Sequence, residues 1–373
     1  MSAALIDAAA AAEASADQTE RERRLAPEVV EALRAGDLFR LCVPRGLGGA
    51  EASPRTLVEA VEALGRADAS AGWCLAVTAT SGLAAAYMDE DAAREVYGTE
   101  GVAVGGVFAP RGRAVGTGDE LTVTGRWPFA SGSDFCDWLM GGCLTELDGA
   151  APEPRLVLFP REDVETVDTW TVSGLCGTGS HDIAVRDLRV PVARSAAVIG
   201  AAPRDRGALY AFPLFGLLAA AIAGVTLGVA RGAMDDIMAL AGVKTPEGGR
   251  RRLAERQTVQ AEVARAEAAL RAGRALVVDA LERAYAVAEQ GAGIGDDLRL
   301  SVRLAATHAT RTARGVVDAC YELGGGSSIY TSSPLQRRFR DVHAATQHML
   351  VAPATWELTG RLLLDLPTDT SQL

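Results

Sequence analysis

Leu323-Gly-Gly-Gly-Ser-Ser-Ile-Tyr330, followed ten residues on by Arg340-Asp-Val-His-Ala-Ala-Thr-Gln-His348-Met349, is the stretch that decides the fold. Three consecutive glycines between two helix-like runs mean that the backbone takes positive φ there, or that something approaches it closely. Two of the chain's four histidines, His343 and His348, then stand five residues apart, and no Asp or Glu occurs from Val342 to Thr355. A glycine turn leading into a basic, imidazole-bearing segment suits the wall of a site for an anionic cofactor.

The rest of the chain sets bounds on that reading. At 373 residues it is long enough for two or three domains. Its 49% hydrophobic and 23% charged content reads as globular. A net charge of −11 speaks against a nucleic-acid partner, which would call for a basic face. The six cysteines form no C-x-x-C and no zinc-spaced cluster, so buried free thiols in a reducing cytoplasm are expected, with no metal. The Ala-rich start carries Asp7 and Glu13 and lacks the basic region of a signal peptide. The uncharged run Phe212–Ala230 is long enough to span a bilayer, but small residues recur at Gly216, Ala220, Gly224 and Gly228. That spacing predicts a buried helix in a bundle rather than a membrane span, with no second segment of the kind.

Three regions follow from pattern. Residues 1–105 read as mostly helical, with a helix over 21–36, a helix opened by Ser53-Pro54, and a nearly uncharged helical run from Ala69 to Met88 that includes Trp73. Residues 106–204 alternate as half-buried strands do, at 121–127, 138–143, 155–159, 165–172 and 183–190, and predict an antiparallel β domain. Residues 205–373 return to helix in four runs, about 212–242, 253–289, 296–324 and 334–364, as in a four-helix bundle.

This α+β order, helices, sheet, then bundle, resembles the acyl-CoA dehydrogenase fold. Local motifs carry the resemblance: Pro44-Arg-Gly-Leu-Gly-Gly49 with Glu62–Trp73, Gly174-Leu-Cys-Gly-Thr-Gly-Ser-His-Asp182, Gln257 with Ala261–Arg274, the glycine triplet, and Arg340-Asp341. In many of those dehydrogenases the Arg-Asp segment leads to a Tyr-Glu whose carboxylate removes a proton. Here His348 and Met349 stand in those places, and a thioether is no base. Trp127-Pro-Phe-Ala-Ser-Gly-Ser133 and the Arg-Asp-x-His segment resemble instead the two-component flavin-dependent monooxygenases of this fold, which include aromatic hydroxylases and N-oxygenases.

The resemblance implies an oxygenase that takes reduced FMN or FAD from a separate flavin reductase, reacts it with O₂ to a C4a-hydroperoxide, and transfers one oxygen atom to a small molecule. No strand–GxGxxG–helix unit for a nicotinamide is visible, which agrees with a separate reductase. It implies Ser131 as the partner of flavin N5–H, His348 as the acid or base near the transferred oxygen, and His343 as a secondary candidate. Trp73, Phe129, Thr178 and Ser180 are expected against the flavin or the substrate mouth. Arg251 and Arg252, with Gly324, Gly325 and Gly326, are expected at the flavin phosphate, in a homotetramer without a membrane or nucleic acid. Two alternatives stay open: a dehydrogenase whose base is displaced to Glu255 or Glu262, and a non-catalytic ligand-binding member.

Overall fold

A computed structural model describes residues 2–373. The first helices are α1 Ala3–Ala14, α2 Ala16–Glu22, α3 Pro27–Ala35, α4 Pro54–Ala67, α5 Ala69–Ser81 and α6 Glu90–Tyr97. The strands are β1 Val104–Thr117, β2 Glu120–Ala130, β3 Trp138–Leu147, β4 Glu153–Pro160, β5 Glu165–Val167, β6 His181–Pro191 and β7 Ser195–Ala196. Then come α7 Ala208–Ala211, α8 Leu214–Val243, α9 Gln257–Glu289, α10 Asp296–Gly324, α11 Pro334–Ala345 and α12 Ala354–Leu363. This is the α+β order of helices, sheet and helices that the sequence predicts.

Two compact units divide the chain discontinuously. The first takes the chain up to Ser53, Cys74–Thr171 and Cys176–Ala211. The second takes Pro54–Trp73, Val172–Leu175 and Phe212–Leu373.

The first unit is built on a seven-stranded sheet in the order β5-β6-β2-β1-β3-β4-β7. Its pairings are antiparallel except β1 with β3, which run parallel and correct the all-antiparallel expectation. Strand β1 itself escaped the sequence pattern. Its register slips between Val107 and Gly112, around Pro110, whose missing N–H cannot serve a ladder. The sheet holds Trp127, fully buried, with its indole Nε1–H donating to the Gly142 carbonyl at 2.7 Å. A Cβ on Gly112, Gly125 or Gly141 would come within 2.5 Å of that ring. The three glycines are therefore a slot for the indole, and they fix the strand that runs on to Ser131. The predicted helix over 21–36 is broken, because Arg23 turns left-handed at φ 56° and Pro27 opens a new helix.

The second unit packs helix on helix. Helix α8 has a mean hydropathy of 1.9 over its most apolar window and is mostly buried. A Cβ on Gly228 would lie 2.2 Å from the Glu62 carbonyl oxygen of α4, and one on Gly65 would lie 2.8 Å from that of Val225. Backbone thus meets backbone, which only small residues permit. The segment Ala69–Tyr87 is also long and apolar enough to cross a membrane by length and composition, and it too is mostly buried, so the uncharged run in α8 is not alone. The predicted fourth long helix, 334–364, is two helices separated by turns at 346–353, where Pro353 has no N–H to continue the ladder. Of the cysteines, Cys176 is half-buried rather than buried.

Candidate active site

The loop after β2 gathers hydroxyls inside the first unit. Phe129 has φ 67°, a strained value for a bulky residue, and stands 66% exposed with its ring edge-on to Trp170 at 6.1 Å. The chain then turns inward at Ser131, whose N–H donates to the Phe129 carbonyl at 2.9 Å. Ser131 Oγ lies 2.6 Å from Ser180 Oγ, and Ser180 Oγ lies 2.6 Å from Thr178 Oγ1. All three residues are buried. Backbone closes the loop pair, with the Gly132 N–H donating to the Thr178 carbonyl at 2.9 Å. Each hydroxyl donates and accepts, so the chain can be polarised in either direction. Three predicted residues, Ser131, Thr178 and Ser180, are thus brought together as one hydrogen-bonded line.

The second unit brings together Trp73 and His348. Their rings meet edge-to-face with centroids 5.8 Å apart. His348 sits in the turn after α11 rather than on a helix. The Leu350 N–H donates to its Nδ1 at 3.3 Å, which leaves the ring proton on Nε2. Burial, with the charge of Arg303 second, lowers its pKa from 6.5 to about 4. The imidazole is therefore neutral at physiological pH, with an Nε2–H to offer. Helix α10 holds this turn. Arg311 Nη2 donates to the carbonyls of Thr346 (3.4 Å) and Val351 (3.1 Å), and Thr307 Oγ1 lies 2.9 Å from Thr355 Oγ1.

The other predicted residues have separate surroundings. His343 lies in the last turn of α11 with Nε2 2.8 Å from Asp318 Oδ1 and its ring 4.5 Å from that of Phe339. Met349 stands 63% exposed. Arg251 and Arg252 are exposed, and the Arg252 N–H donates to Glu255 Oε2 at 3.0 Å in a capping arrangement. Glu262 pairs with Arg265 at 2.7 Å. Gly324 ends α10, and its carbonyl accepts from Lys244 Nζ at 2.6 Å, while Gly325 takes φ 54°. The Arg340-Asp341 motif clamps the Val172–Leu175 segment. Arg340 Nη1 donates to the Ser173 carbonyl at 2.6 Å, and the Leu175 N–H donates to buried Asp341 at 2.6 Å. A groove of about 430 Å³ on α9, lined by Arg271, Arg274, Asp279 and Glu282 among others, shares no residue with either cluster.

Sequence reasoning missed Arg303. It lies on α10 and is only 2% exposed. The signal was present: Val302, Ala306, Thr307 and Thr310 around it are all buried, so helical periodicity places Arg303 on the inward face.

Known proteins agree with this architecture. The acyl-CoA dehydrogenase N-terminal domain model matches residues 3–96, and the C-terminal domain model matches residues 220–353. The chain belongs to the acyl-CoA dehydrogenase superfamily, in its branch of two-component flavin-dependent monooxygenases. An indole-3-acetate monooxygenase of Pseudomonas putida is 32% identical over 92% of this chain and 88% of its own length. The crystal structure of 3-HSA hydroxylase from a Rhodococcus species superposes with a TM-score of 0.91 at 26% identity, over 99% of this chain and 98% of that one. XiaF from a Streptomyces species, solved with FADH2 and glycerol, gives 0.90 at 26% identity over 98% and 94%. The chain is thus an oxygenase component that works with reduced flavin delivered by a partner reductase. Its own residues fit that group: a buried hydroxyl line beside an outward-facing aromatic offers both a neutral polar contact and a flat apolar one.

Proposed function

We propose that this oxygenase hydroxylates or N-oxygenates a small aromatic molecule, with Ser131 on the flavin and the Trp73–His348 pair on the substrate. When bound, reduced flavin supplies the two electrons with which O₂ is split, one oxygen atom going to substrate and the other to water. Ser131 accepts a hydrogen bond from the flavin N5–H, and Ser180 and Thr178 hold its hydroxyl in place. A buried line of hydroxyls carries no charge, and its alcohols keep their protons at neutral pH. Phe129 packs against the flavin ring system.

His348 serves as a neutral donor. Its Nε2–H hydrogen-bonds an oxygen at the reacting centre, and the Leu350 N–H on Nδ1 holds it in that tautomer. Trp73 gives an aromatic substrate a ring to lie against. The observation that carries this reading is the Trp73–His348 contact, an aromatic wall and a fixed N–H donor brought together from positions far apart in the chain. Indole-3-acetate, on which the Pseudomonas relative is named to act, is the first substrate to try. Arg251, Arg252 and the Gly324–Gly326 turn meet the flavin phosphate in a homotetramer, in the cytoplasm.

The test is to mix the protein, loaded with reduced flavin, with O₂ in the presence of aromatic candidates, and to measure product and H₂O₂ per flavin. Oxygenated product is expected to rise at the expense of H₂O₂ with at least one aromatic. Release of all reducing equivalents as H₂O₂ with every candidate would sink the proposal.

A further inference from the structure

We infer that Arg303 is the anchor for a carboxylate on the aromatic substrate, so that the enzyme selects aryl acids. This rests on the assignment of Trp73 and His348 to the substrate. A guanidinium carries five N–H donors and is always charged at neutral pH. Among the described residues, Arg303 makes a hydrogen bond only through Nη1, a 3.3 Å contact to the Phe215 carbonyl, and its buried Nε has no partner. No carboxylate among the described residues forms an ion pair with it. A buried charge left in that state is destabilising, and burial lowers even this guanidinium's pKa to about 10.

The rest of the second unit shows what a satisfied arginine looks like here. Arg231 is bidentate on Glu267, Arg274 Nε donates to both carboxylate oxygens of Glu62, and Arg338 meets Asp236. Arg311 lacks a carboxylate, but its role is visible, since it holds two carbonyls of the His348 turn. Arg303 does neither. It lies on the same face of α10 as Thr307 and Arg311, four and eight residues on, the face that carries the turn. After burial, the charge of Arg303 is the second cause that lowers the pKa of His348. No acidic residue between Val342 and Thr355 is available to neutralise it. A cation without an anion, a neutral imidazole and an indole ring are complementary to one kind of molecule, an aromatic ring bearing a carboxylate. The charge-assisted bonds that Arg303 lacks in the protein would be made by the ligand.

The test uses the protein loaded with reduced flavin, without O₂, titrated with matched acids and amides: benzoate and benzamide, phenylacetate and phenylacetamide, indole-3-acetate and indole-3-acetamide. In the wild type at least one acid is expected to bind about tenfold or more tighter than its amide, the factor of a charge-assisted hydrogen bond. Arg303→Met should bring that pair to parity while leaving amide and reduced-flavin affinity unchanged. Arg303→Lys should keep part of the preference, and Arg303→Gln serves if the Met variant does not fold. Equal binding of acid and amide in every pair, or a preference that survives in Arg303→Met, overturns the inference. So does a loss of reduced-flavin affinity in that variant, which would assign the guanidinium to the flavin phosphate. Product measured with the same ligands separates the two readings. Product without acid preference defeats only the role of Arg303, and acid preference without product from any ligand defeats the substrate assignment.

Discussion

The hydroxyl line of the first unit and the His348 turn of the second solve opposite problems. Ser131, Ser180 and Thr178 are neutral, buried and joined by two 2.6 Å hydrogen bonds. The His348 turn instead sits beside guanidiniums whose Nε atoms, on Arg303 and Arg311, have no partner. One region is complete in itself, and the other has electrostatic capacity to spare. A group that meets the same cofactor in every turnover gains from being preformed and pH-indifferent. A group that must tell one substrate from another gains from a contact that only the right ligand completes.

The contrast can be broken in four ways. Ser131→Ala is expected to have the largest effect, raising H₂O₂ release from the reduced flavin complex roughly tenfold through loss of one buried hydrogen bond. An unchanged rate of release, followed by a peroxidase-coupled assay, would remove the hydroxyl line from the chemistry. His348→Gln should lower product per reduced flavin by about three- to tenfold, as loss of a neutral donor does, with reduced-flavin binding unaltered. A loss of about a hundredfold or more that depends on pH would instead mark His348 as a proton-transfer group.

The third test is stability against pH. His348 has a folded pKa of about 4 against 6.5 when unfolded. Between those values the unfolded chain binds a proton that the folded chain refuses. The contribution of His348 to stability is therefore whole above pH 6.5 and shrinks as pH falls toward 4. Urea midpoints at pH 7 and pH 4.5 should differ less in His348→Gln than in the wild type, and an identical difference defeats the neutral-imidazole assignment. The smallest effect is expected of Arg251→Ala. An exposed cation contributes little, so reduced-flavin affinity measured by anaerobic titration should fall no more than about fivefold.

Much of this was legible in the sequence, for reasons that differ by region. The glycine turn and Arg340-Asp341 announced the fold because both are backbone devices, and the structure shows the second as a clamp on Ser173 and Leu175. Ser131 and Ser180 were found from loop motifs, but their meeting was not, since a turn in each of two distant segments is needed to bring them together. The contact of Trp73 with His348 was hidden for the same reason. The break between α11 and α12 was missed because Thr346–Val351 carries no glycine; its one outward sign was Pro353. Arg303 was overlooked because an arginine in a helix reads as surface, although Ala306, Thr307 and Thr310, which follow it at helical spacing, are all inward.

The close meeting of α4 with α8 also has a consequence for how the chain is born. Gly65 packs on Val225, so α4 leaves the ribosome about 160 residues ahead of the helix that covers it, roughly 10 to 30 s at ordinary rates of synthesis. Throughout that interval its apolar stripe of Leu57, Val61 and Leu64, fully buried in the finished protein, lacks the cover that α8 gives. A nascent chain of this design waits for α8 to complete that cover, so its yield in a cell should follow the supply of chaperones more closely than the stability of the completed fold.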